Sequence, residues 1–184
     1  MAKFGINHRQ QLGWRLNEAG LTGVGAEIGV LGGENAFQIL NWWNGKKLIL
    51  VDPYKKWAPE EYIDGVSDIS MVNAEFEARE RLERFTDRVE WWKITSDEAF
   101  EQMEDESLDF CYIDGNHHLP IVRRDIENGW KKVKSGGVLC GHDYYDKDLP
   151  YFQCHVKSEV DRFAGEFGLE IHDTPCTSWW ILKP

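Results

Sequence analysis

Residues 108–118 read Leu-Asp-Phe-Cys-Tyr-Ile-Asp-Gly-Asn-His-His, an apolar run that ends on Asp114 and continues into a glycine and two histidines. The run has the length of a buried strand, and polar groups follow it directly. A second run, residues 137–141, reads Gly-Val-Leu-Cys-Gly and is followed by His142 and Asp143. Ligands of open α/β sheets bind outside the carboxyl ends of the strands. We therefore expect a reaction centre where these two strands end.

The chain around these runs alternates strands and helices. A strand over residues 24–30, a glycine-rich turn, a helix over 34–43 and a strand over 47–51 form one β-α-β unit. Further strands are predicted at 89–94, 108–113, 138–141, 169–172 and 178–182, and further helices at 6–19, 69–85, 97–103, 119–133 and 156–167. Ser96 is predicted to cap the helix that follows it. The alternation predicts a three-layer α/β sheet.

The length of 184 residues predicts one domain over residues 1–184, because it suffices for a single core and contains no repeat or linker. An N-terminal helix falls within residues 1–22. Two aromatic, polar stretches, residues 53–67 and 144–155, are predicted to be active-site loops at the carboxyl edge of the sheet. Their aromatic rings suit either a planar or sugar substrate or the packing of a lid.

Charge and cysteine usage limit the partners. A formal net charge of −11 argues against a general nucleic-acid binder and against attraction to an anionic membrane surface. It suits a neutral or cationic small molecule better. No run reaches the length of a membrane span. The four cysteines show no C-x-x-C spacing and are read as reduced, which together with an N-terminus that lacks an apolar signal region predicts a cytoplasmic protein.

The glycine-rich turn reads Glu-Ile-Gly-Val-Leu-Gly-Gly over residues 27–33 and does not fit the G-x-G-x-x-G pattern of nicotinamide cofactors. Glu27 would repel a pyrophosphate there but could hold an ammonium group. S-adenosylmethionine carries an amino acid and a sulfonium at this end instead of phosphates. Asp52 ends the second strand, where an acid meets ribose hydroxyls in dinucleotide folds. The alternative is that Glu27 is a paired surface acid and Asp52 a turn former before Pro53.

Five motifs together resemble the class I S-adenosylmethionine-dependent methyltransferases. They are Glu-x-Gly-x-x-x-Gly at 27–33, Val-Asp-Pro-Tyr at 51–54, Tyr-Ile-Asp-Gly-Asn-His at 112–117, Gly-Gly-Val-Leu-Cys-Gly-His-Asp-Tyr at 136–144 and Ser-Trp-Trp-Ile-Leu-Lys at 178–183. More narrowly, the chain is similar to the type 24 group and to the macrocin-type sugar O-methyltransferases. The resemblance implies a Rossmann-like sheet with strand order 3-2-1-4-5-7-6 and an antiparallel last strand.

The resemblance also implies where the cofactor binds. The methionine end of S-adenosylmethionine would lie among Glu27, Gly29 and Gly33. The ribose would meet Asp52, and the adenine would face Thr95 and Ser96. Asp114 would border the same cofactor.

A divalent metal is the second expectation, and it begins from the residues themselves. Asp114 and Asp143 end neighbouring strands, so their carboxylates can converge on a hard cation such as Mg²⁺. A metal there could bind two neighbouring substrate hydroxyls and lower the pKa of one of them. An imidazole nearby could take the hydroxyl proton near neutral pH.

The macrocin-type resemblance implies that Asp114, His142 and Asp143 bind the metal and that His117 is the base. His142 stands where the sugar enzymes carry Glu, and Asn116 stands where an acid is often found. An imidazole suits Mn²⁺ better than Mg²⁺. The sequence therefore leaves open whether the metal is Mg²⁺ or Mn²⁺, whether a metal is used, and whether His117 or His142 is the base.

The function expected from these residues is methyl transfer from S-adenosylmethionine to a hydroxyl oxygen of a small molecule of the sugar or natural-product type, assisted by a divalent metal. A rival hypothesis is an accessory protein that binds the cofactor on the same fold without turnover. A nicotinamide oxidoreductase is disfavoured by Glu27 and by the glycine spacing. A zinc hydrolase is disfavoured because H-E-x-x-H is absent. At 184 residues we expect no added substrate domain, so the pocket would come from the two predicted loops or from the partner subunit of a homo-oligomer.

Overall fold

The computed structural model describes residues 5, 8–55, 71–150 and 152–184. The strands are β1 Val24–Ile28, β2 Lys47–Val51, β3 Val89–Trp92, β4 Leu108–Ile113, β5 Val133–Gly141, β6 Asp146–Leu149, β7 Phe152–His155, β8 His172–Asp173 and β9 Trp179–Leu182. The α-helices are α1 Leu12–Glu18, α2 Glu34–Trp42, α3 Met71–Leu82, α4 Ser96–Gln102, α5 Ile121–Lys132 and α6 Val156–Phe167. Short 3₁₀ helices cover Arg9–Gln11 and Glu83–Arg88.

Seven strands form one sheet in the order β3-β2-β1-β4-β5-β9-β8. Strands β1 to β5 pair in parallel, whereas β9 pairs antiparallel with both β5 and β8. The remaining strands, β6 and β7, pair only with each other. With this pair left out of the numbering, the sheet order confirms the expected 3-2-1-4-5-7-6, and the antiparallel last strand is β9.

The central strand β4 is buried along its whole length, as its near-continuous apolar sequence predicts for a parallel strand covered on both faces. Its side chains alternate between two cores, with Cys111 and Ile113 facing α4, α5 and α6, and Phe110 and Tyr112 facing α1, α2 and α3. Its charged residue, Asp109, accepts a hydrogen bond from the Gly23 backbone N–H and pairs with a lysine. The sheet is therefore sandwiched between two helical layers.

The backbone hydrogen-bond ladder extends one residue past the ends of three central strands. Gly29 donates to the Val51 carbonyl at 2.9 Å, Asp114 donates to the Ile28 carbonyl at 2.8 Å, and the His142 N–H donates to the Ile113 carbonyl at 3.2 Å. The backbones of Gly29, Asp114 and His142, which the sequence placed at the carboxyl edge, are therefore fixed by hydrogen bonds of the sheet. Their side chains project from ordered strand ends.

The predicted loop over residues 144–155 is wrong in its secondary structure, because β6 and β7 form an antiparallel hairpin there. Three of the four β6 residues are exposed and charged, so the alternation of apolar and polar residues that indicates a strand is missing. The rings of Tyr145 and Phe152 stack at 6.5 Å between centroids. The His155 N–H donates to the carbonyl of His117 at 3.0 Å, which ties the hairpin to the predicted site.

The remaining differences from the prediction concern the residues at which individual helices and strands begin and end. Strand β5 begins at Val133, five residues earlier than predicted, and pairs there with Leu108 across a bulge. Of the predicted loop over residues 53–67, only residues 53–55 lie within the described residues. The predicted starts of the helices over 6–19 and 69–85 lie outside them as well.

All four cysteines are free thiols, as predicted, and Cys176 is the exposed one. Burial raises the pKa of Cys111 and of Cys140, so both thiols remain protonated and pack as small apolar groups. Within the described ranges, no helix is long and apolar enough to cross a membrane.

Candidate active site

A cavity of about 620 Å³ opens at the carboxyl ends of β1, β2 and β4. Its wall contains the predicted cofactor-side residues Glu27, Gly29, Asp52, Thr95 and Ser96. The same wall contains the predicted acceptor-side residues Asp114, His117 and Asp143. The tertiary structure therefore brings both halves of the predicted site into one space, at the sheet edge where open α/β folds bind ligands.

Glu27 is a buried carboxylate in this wall, with 1% of its surface exposed. Its Oε1 accepts a hydrogen bond from Asn35 Nδ2 at 3.2 Å, while Oε2 has no hydrogen-bond partner among the described residues. Burial raises the pKa of Glu27, against the opposing effects of Asn35 and the positive charge of Arg9. A buried carboxylate with one unpaired oxygen is costly unless a donor reaches it. A cationic donor in the cavity, such as an ammonium group, would satisfy it.

Asp52 holds the glycine-rich turn in place through both of its oxygens. Oδ2 accepts the backbone N–H groups of Val30 and Leu31 at 2.9 Å each, and Oδ1 accepts the N–H of Tyr54 at 2.8 Å. Leu31 and Tyr54 both have positive φ angles, 46° and 43°, which non-glycine residues adopt at an energetic cost. A carboxylate can accept about four hydrogen bonds, so Asp52 retains capacity for one further donor such as a ribose hydroxyl.

The two predicted glycines have different surroundings. Gly29 has φ 85°, and a Cβ at this position would lie 2.2 Å from the carbonyl oxygen of Asp114. Only glycine therefore lets the turn after β1 pass this close to the end of β4. Gly33 has φ 75° and precedes α2, and a Cβ there would meet Ala78 of α3 at 3.2 Å. Gly33 is not part of the cavity wall, and its position serves helix packing.

Thr95, not Ser96, caps α4, so the predicted cap is wrong by one residue. The Thr95 hydroxyl accepts the N–H of Glu98 at 3.3 Å, and the Glu98 carboxylate accepts the N–H of Thr95 at 2.9 Å. This reciprocal capping box explains why the helix starts one residue earlier than predicted. It leaves Ser96 in the first turn, where its side chain hydrogen-bonds to Asp125.

Asp125 lines the cavity from α5 and was not singled out from the sequence. It is 1% exposed, and burial raises its pKa to about 7 against the hydrogen bond with Ser96. Its neighbours on the helix face, Val122, Ile126 and Gly129, are also buried. An aspartate on an otherwise apolar helix face was the sequence signal that could have identified it.

The raised pKa of Asp125 predicts a pH dependence of stability. Between about pH 4 and about pH 7, the folded protein keeps a proton that the unfolded chain has released, so the free energy of unfolding should fall as pH rises. The D125N variant should lack this component, which amounts to roughly 4 kcal/mol at most. Urea denaturation at about pH 5 and about pH 8 measures it, with the exposed Asp87→Asn as control. Identical pH slopes for wild type and D125N would contradict this prediction.

Asp114, His117 and Asp143 form a compact cluster at the acceptor side. His117 Nε2 lies 3.6 Å from Asp114 Oδ1, and His117 Nδ1 lies 3.5 Å from Asp143 Oδ2. One ligand atom from each residue falls within 4.8 Å of the others. Two carboxylates and an imidazole are a donor set that divalent cations such as Mn²⁺ accept. The residues therefore fit a divalent metal.

His142 occupies a different position from the one predicted for a metal ligand. It lies outside the group of potential metal ligands in the described ranges, which contains His117 instead. Its Nδ1 lies 2.9 Å from Asp143 Oδ1, and its Nε2 lies 3.5 Å from the Thr177 hydroxyl. Although burial disfavours ionisation of Asp143, the hydrogen bond from His142 and the nearby positive charges hold the pKa of Asp143 below its usual value. This geometry indicates that His142 orients the carboxylate of Asp143.

Three positively charged side chains in the wall, Arg9, Lys55 and Arg124, were also missed by sequence analysis. Arg124 pairs with Asp97 through both ends of its guanidinium, at 3.1 and 2.8 Å. Arg9 comes from the N-terminal 3₁₀ helix, and its positive charge acts on Glu27 and on Asp143. No local pattern marks Arg9, because only the packing of the N-terminal segment brings it to the cavity.

A family model described as a methyltransferase domain matches residues 26–144 of the chain. The match spans β1 through β5 and therefore contains Glu27, Asp52, Asp114, His117 and Asp143. It extends over more than half of the chain. A search of curated proteins by sequence finds no match.

Solved structures with the same fold include several O-methyltransferases. The O-methyltransferase from Bacillus cereus in complex with SAH has a TM-score of 0.62 and 16% identity, covering 99% of this chain and 86% of that one. TomG from Streptomyces achromogenes, in complex with SAM, has a TM-score of 0.64 and 13% identity, covering 100% and 84%. An O-methyltransferase family protein from Burkholderia thailandensis has a TM-score of 0.65 and 13% identity, covering 94% and 53%. At these identities the likeness establishes the shared fold.

Proposed function

The chain belongs to the methyltransferase domain family, and on that premise we propose that it transfers a methyl group from S-adenosylmethionine to a hydroxyl oxygen of a small molecule. The Bacillus cereus and Streptomyces achromogenes structures, described as O-methyltransferases with SAH and SAM, support the choice of cofactor and of oxygen as acceptor atom. TomG is described as involved in tomaymycin synthesis, which supports a natural-product type of acceptor.

One observation carries this proposal. A single cavity contains a buried carboxylate with an unpaired oxygen, Glu27, and a cluster of two carboxylates and an imidazole, Asp114, Asp143 and His117. The first suits the ammonium of a methionine group, and the second suits the deprotonation of a hydroxyl. A volume of about 620 Å³ lies within the range of pockets that hold drug-sized ligands.

The cofactor half works through charge and through a rigid turn. Glu27 binds the ammonium of the methionine end, and Gly29 lets the backbone turn closely past Asp114. Asp52 keeps that turn in shape and accepts a ribose hydroxyl with its remaining capacity. Ser96 and Asp125, joined by a hydrogen bond, would face the adenine. These residues would together hold the sulfonium methyl in one place, and positioning of this kind contributes much of the rate of group transfer.

The acceptor half prepares the attacking oxygen. His117 takes the proton of the acceptor hydroxyl, because the resulting imidazolium lies between the carboxylates of Asp114 and Asp143. The same two carboxylates would hold a divalent cation, whose charge lowers the pKa of a coordinated hydroxyl. His142 orients Asp143 through the 2.9 Å contact. If His117 is instead a third ligand, Mn²⁺ should support activity better than Mg²⁺, since imidazole binds it more strongly.

Titration calorimetry with S-adenosylhomocysteine tests the cofactor assignment directly. We expect saturable binding of one ligand to each chain. Transfer of labelled methyl from S-adenosylmethionine to a panel of sugars and phenols then separates an enzyme from an accessory protein that only binds the cofactor. A folded protein that gives no heat with S-adenosylhomocysteine would refute the proposal.

Metal removal is expected to lower the methylation rate. Chelation should reduce it at least ~10-fold, and added Mg²⁺ or Mn²⁺ should restore it, because the cation stabilises the deprotonated acceptor oxygen. The D143N variant should lose the response to added metal, whereas the exposed Asp148→Asn should keep it. Rates are measured with the best acceptor of the panel. Full activity after exhaustive chelation would exclude the metal role and leave the cofactor assignment intact.

A further inference from the structure

We propose that Arg9 is the carboxylate-binding residue of the cofactor site and pairs with the α-carboxylate at the methionine end of S-adenosylmethionine. The inference rests on the proposed function, because it assigns a residue to a ligand that only that function supplies. It adds to the site a residue outside the matched range of residues 26–144.

The first observation concerns the position of Arg9. It lies in the N-terminal 3₁₀ helix, Arg9–Gln11, and this helix packs against α2. Helix α2 starts directly after the glycine-rich turn and carries Asn35, the hydrogen-bond partner of Glu27. This packing brings Arg9 into the wall of the same cavity as Glu27. A ligand that reaches Glu27 is therefore within range of the charge of Arg9 as well.

The second observation is that the Arg9 guanidinium makes no hydrogen bond and no salt bridge within the described part of the chain, and that the residue is partly buried. Arg124, by contrast, is held by two hydrogen bonds to Asp97. A guanidinium presents donors in a fork that matches a carboxylate, so an unpaired, partly buried arginine in a cavity wall suits an anionic group of a ligand.

The third observation is the neighbourhood of Arg9. Its charge lowers the pKa of Glu27 against the larger effect of burial, so Arg9 and Glu27 lie within electrostatic range of each other. One negative and one positive side chain within electrostatic range of each other in one cavity wall form a complement to a zwitterion. An α-amino acid group carries an ammonium and a carboxylate on one carbon. The methionine end of the cofactor is the part of the proposed ligands with that chemistry.

A double-mutant cycle that combines a change in the ligand with a change in the protein tests the pairing of Arg9 with the ligand carboxylate. S-adenosylhomocysteine is compared with its decarboxylated analogue, the adenosyl 3-aminopropyl thioether, which lacks the carboxylate and keeps the ammonium. Both ligands are titrated calorimetrically into wild type, R9Q and R9K. The control variant is Arg15→Gln, since Arg15 lies close in sequence, pairs with Glu18 and is not part of the cavity wall.

In wild type, removal of the carboxylate should weaken binding about 30-fold, as expected when one partner of a desolvated charge pair is lost. In R9Q, removal of the ligand carboxylate should weaken binding by no more than about 3-fold, because its arginine partner is already missing. R9K should fall between the two, since an ammonium keeps the charge but not the fork. R15Q should behave as wild type.

Three outcomes distinguish failure of this inference from failure of the proposed function. If R9Q binds both ligands less tightly by the same factor, Arg9 supports the structure only and the pairing is wrong. The pairing is equally wrong if R9Q binds S-adenosylhomocysteine as wild type does, while the cofactor assignment then stands. If wild type binds neither ligand, the proposed function itself fails.

Discussion

Replacement of Glu27 with glutamine is expected to weaken S-adenosylhomocysteine binding about 100-fold, as loss of one member of a desolvated charge pair does. The ligand's ammonium would lose the carboxylate that faces it. The neutral amide keeps the size of the side chain and the acceptor for Asn35 Nδ2. The loss of affinity therefore reports the charge of Glu27 and not its packing.

The same substitution should stabilise the free protein. Burial raises the pKa of Glu27, which means that the folded state tolerates its negative charge poorly. A neutral isostere removes that cost, so E27Q should gain about 1–3 kcal/mol in the free energy of unfolding at pH 8. The gain should shrink as the pH falls toward 4.5, the ordinary pKa of glutamate, because the wild-type carboxyl is then neutral when folded.

Calorimetry and urea denaturation on the same samples measure the two effects together. The matched control is Glu101→Gln, which changes an exposed glutamate of α4 and should alter neither quantity. A variant that is both less stable and weaker in binding would show that Glu27 has a structural role. Higher stability together with weaker ligand binding in E27Q would indicate that the charge of Glu27 serves ligand binding.

Replacement of Asp52 with alanine is expected to have the second large effect. Unlike E27Q, it should lower the free energy of unfolding. Three backbone N–H groups, those of Val30, Leu31 and Tyr54, would lose their acceptor. Loss of these bonds should lower the free energy of unfolding by about 2–4 kcal/mol. The left-handed conformations of Leu31 and Tyr54 would lose the contacts that hold them. We expect cofactor affinity to fall more than ~100-fold, because turn geometry and ribose contact are lost together.

Asp52→Asn distinguishes the two contributions. The asparagine oxygen can still accept the N–H groups of Val30 and Leu31, while its amide nitrogen faces the N–H of Tyr54. Stability should therefore be intermediate between wild type and D52A, and affinity should be reduced less. Denaturation and calorimetry of the three proteins measure this order. Cofactor binding by D52A at wild-type affinity would exclude Asp52 from the site.

The strands and the carboxyl edge of the sheet were predictable because they depend on local patterns, whereas the strand order was implied by the resemblance to the methyltransferases. An apolar run of four to eight residues marks a buried parallel strand, as residues 48–51 of β2 and 110–113 of β4 show, whereas Glu27 interrupts β1. Polar residues that follow such runs must lie at the carboxyl edge, whatever the details of packing. This is why Asp52, Asp114, His117 and Asp143 could be placed before the structure, and they share one cavity wall with Glu27, which lies inside β1 one residue before its end.

The hairpin of β6 and β7 could not be predicted, because its first strand lacks such a local pattern. Its first strand carries Asp146, Lys147 and Asp148 in succession, so no apolar face marks it as a strand. Its stability depends on pairing with β7 and on the ring of Phe152 against Tyr145. Pairing partners and ring contacts are properties of the folded chain.

The sequence by itself determined which strands carry chemical groups to the carboxyl edge and which residues end them. Only the tertiary structure decided which side chains meet there. It placed His117 rather than His142 between Asp114 and Asp143, and it brought Arg9 and Asp125 into the cavity from separate helices. The physical reason is that strand periodicity is set by neighbours along the chain, whereas the convergence of side chains depends on how distant elements pack.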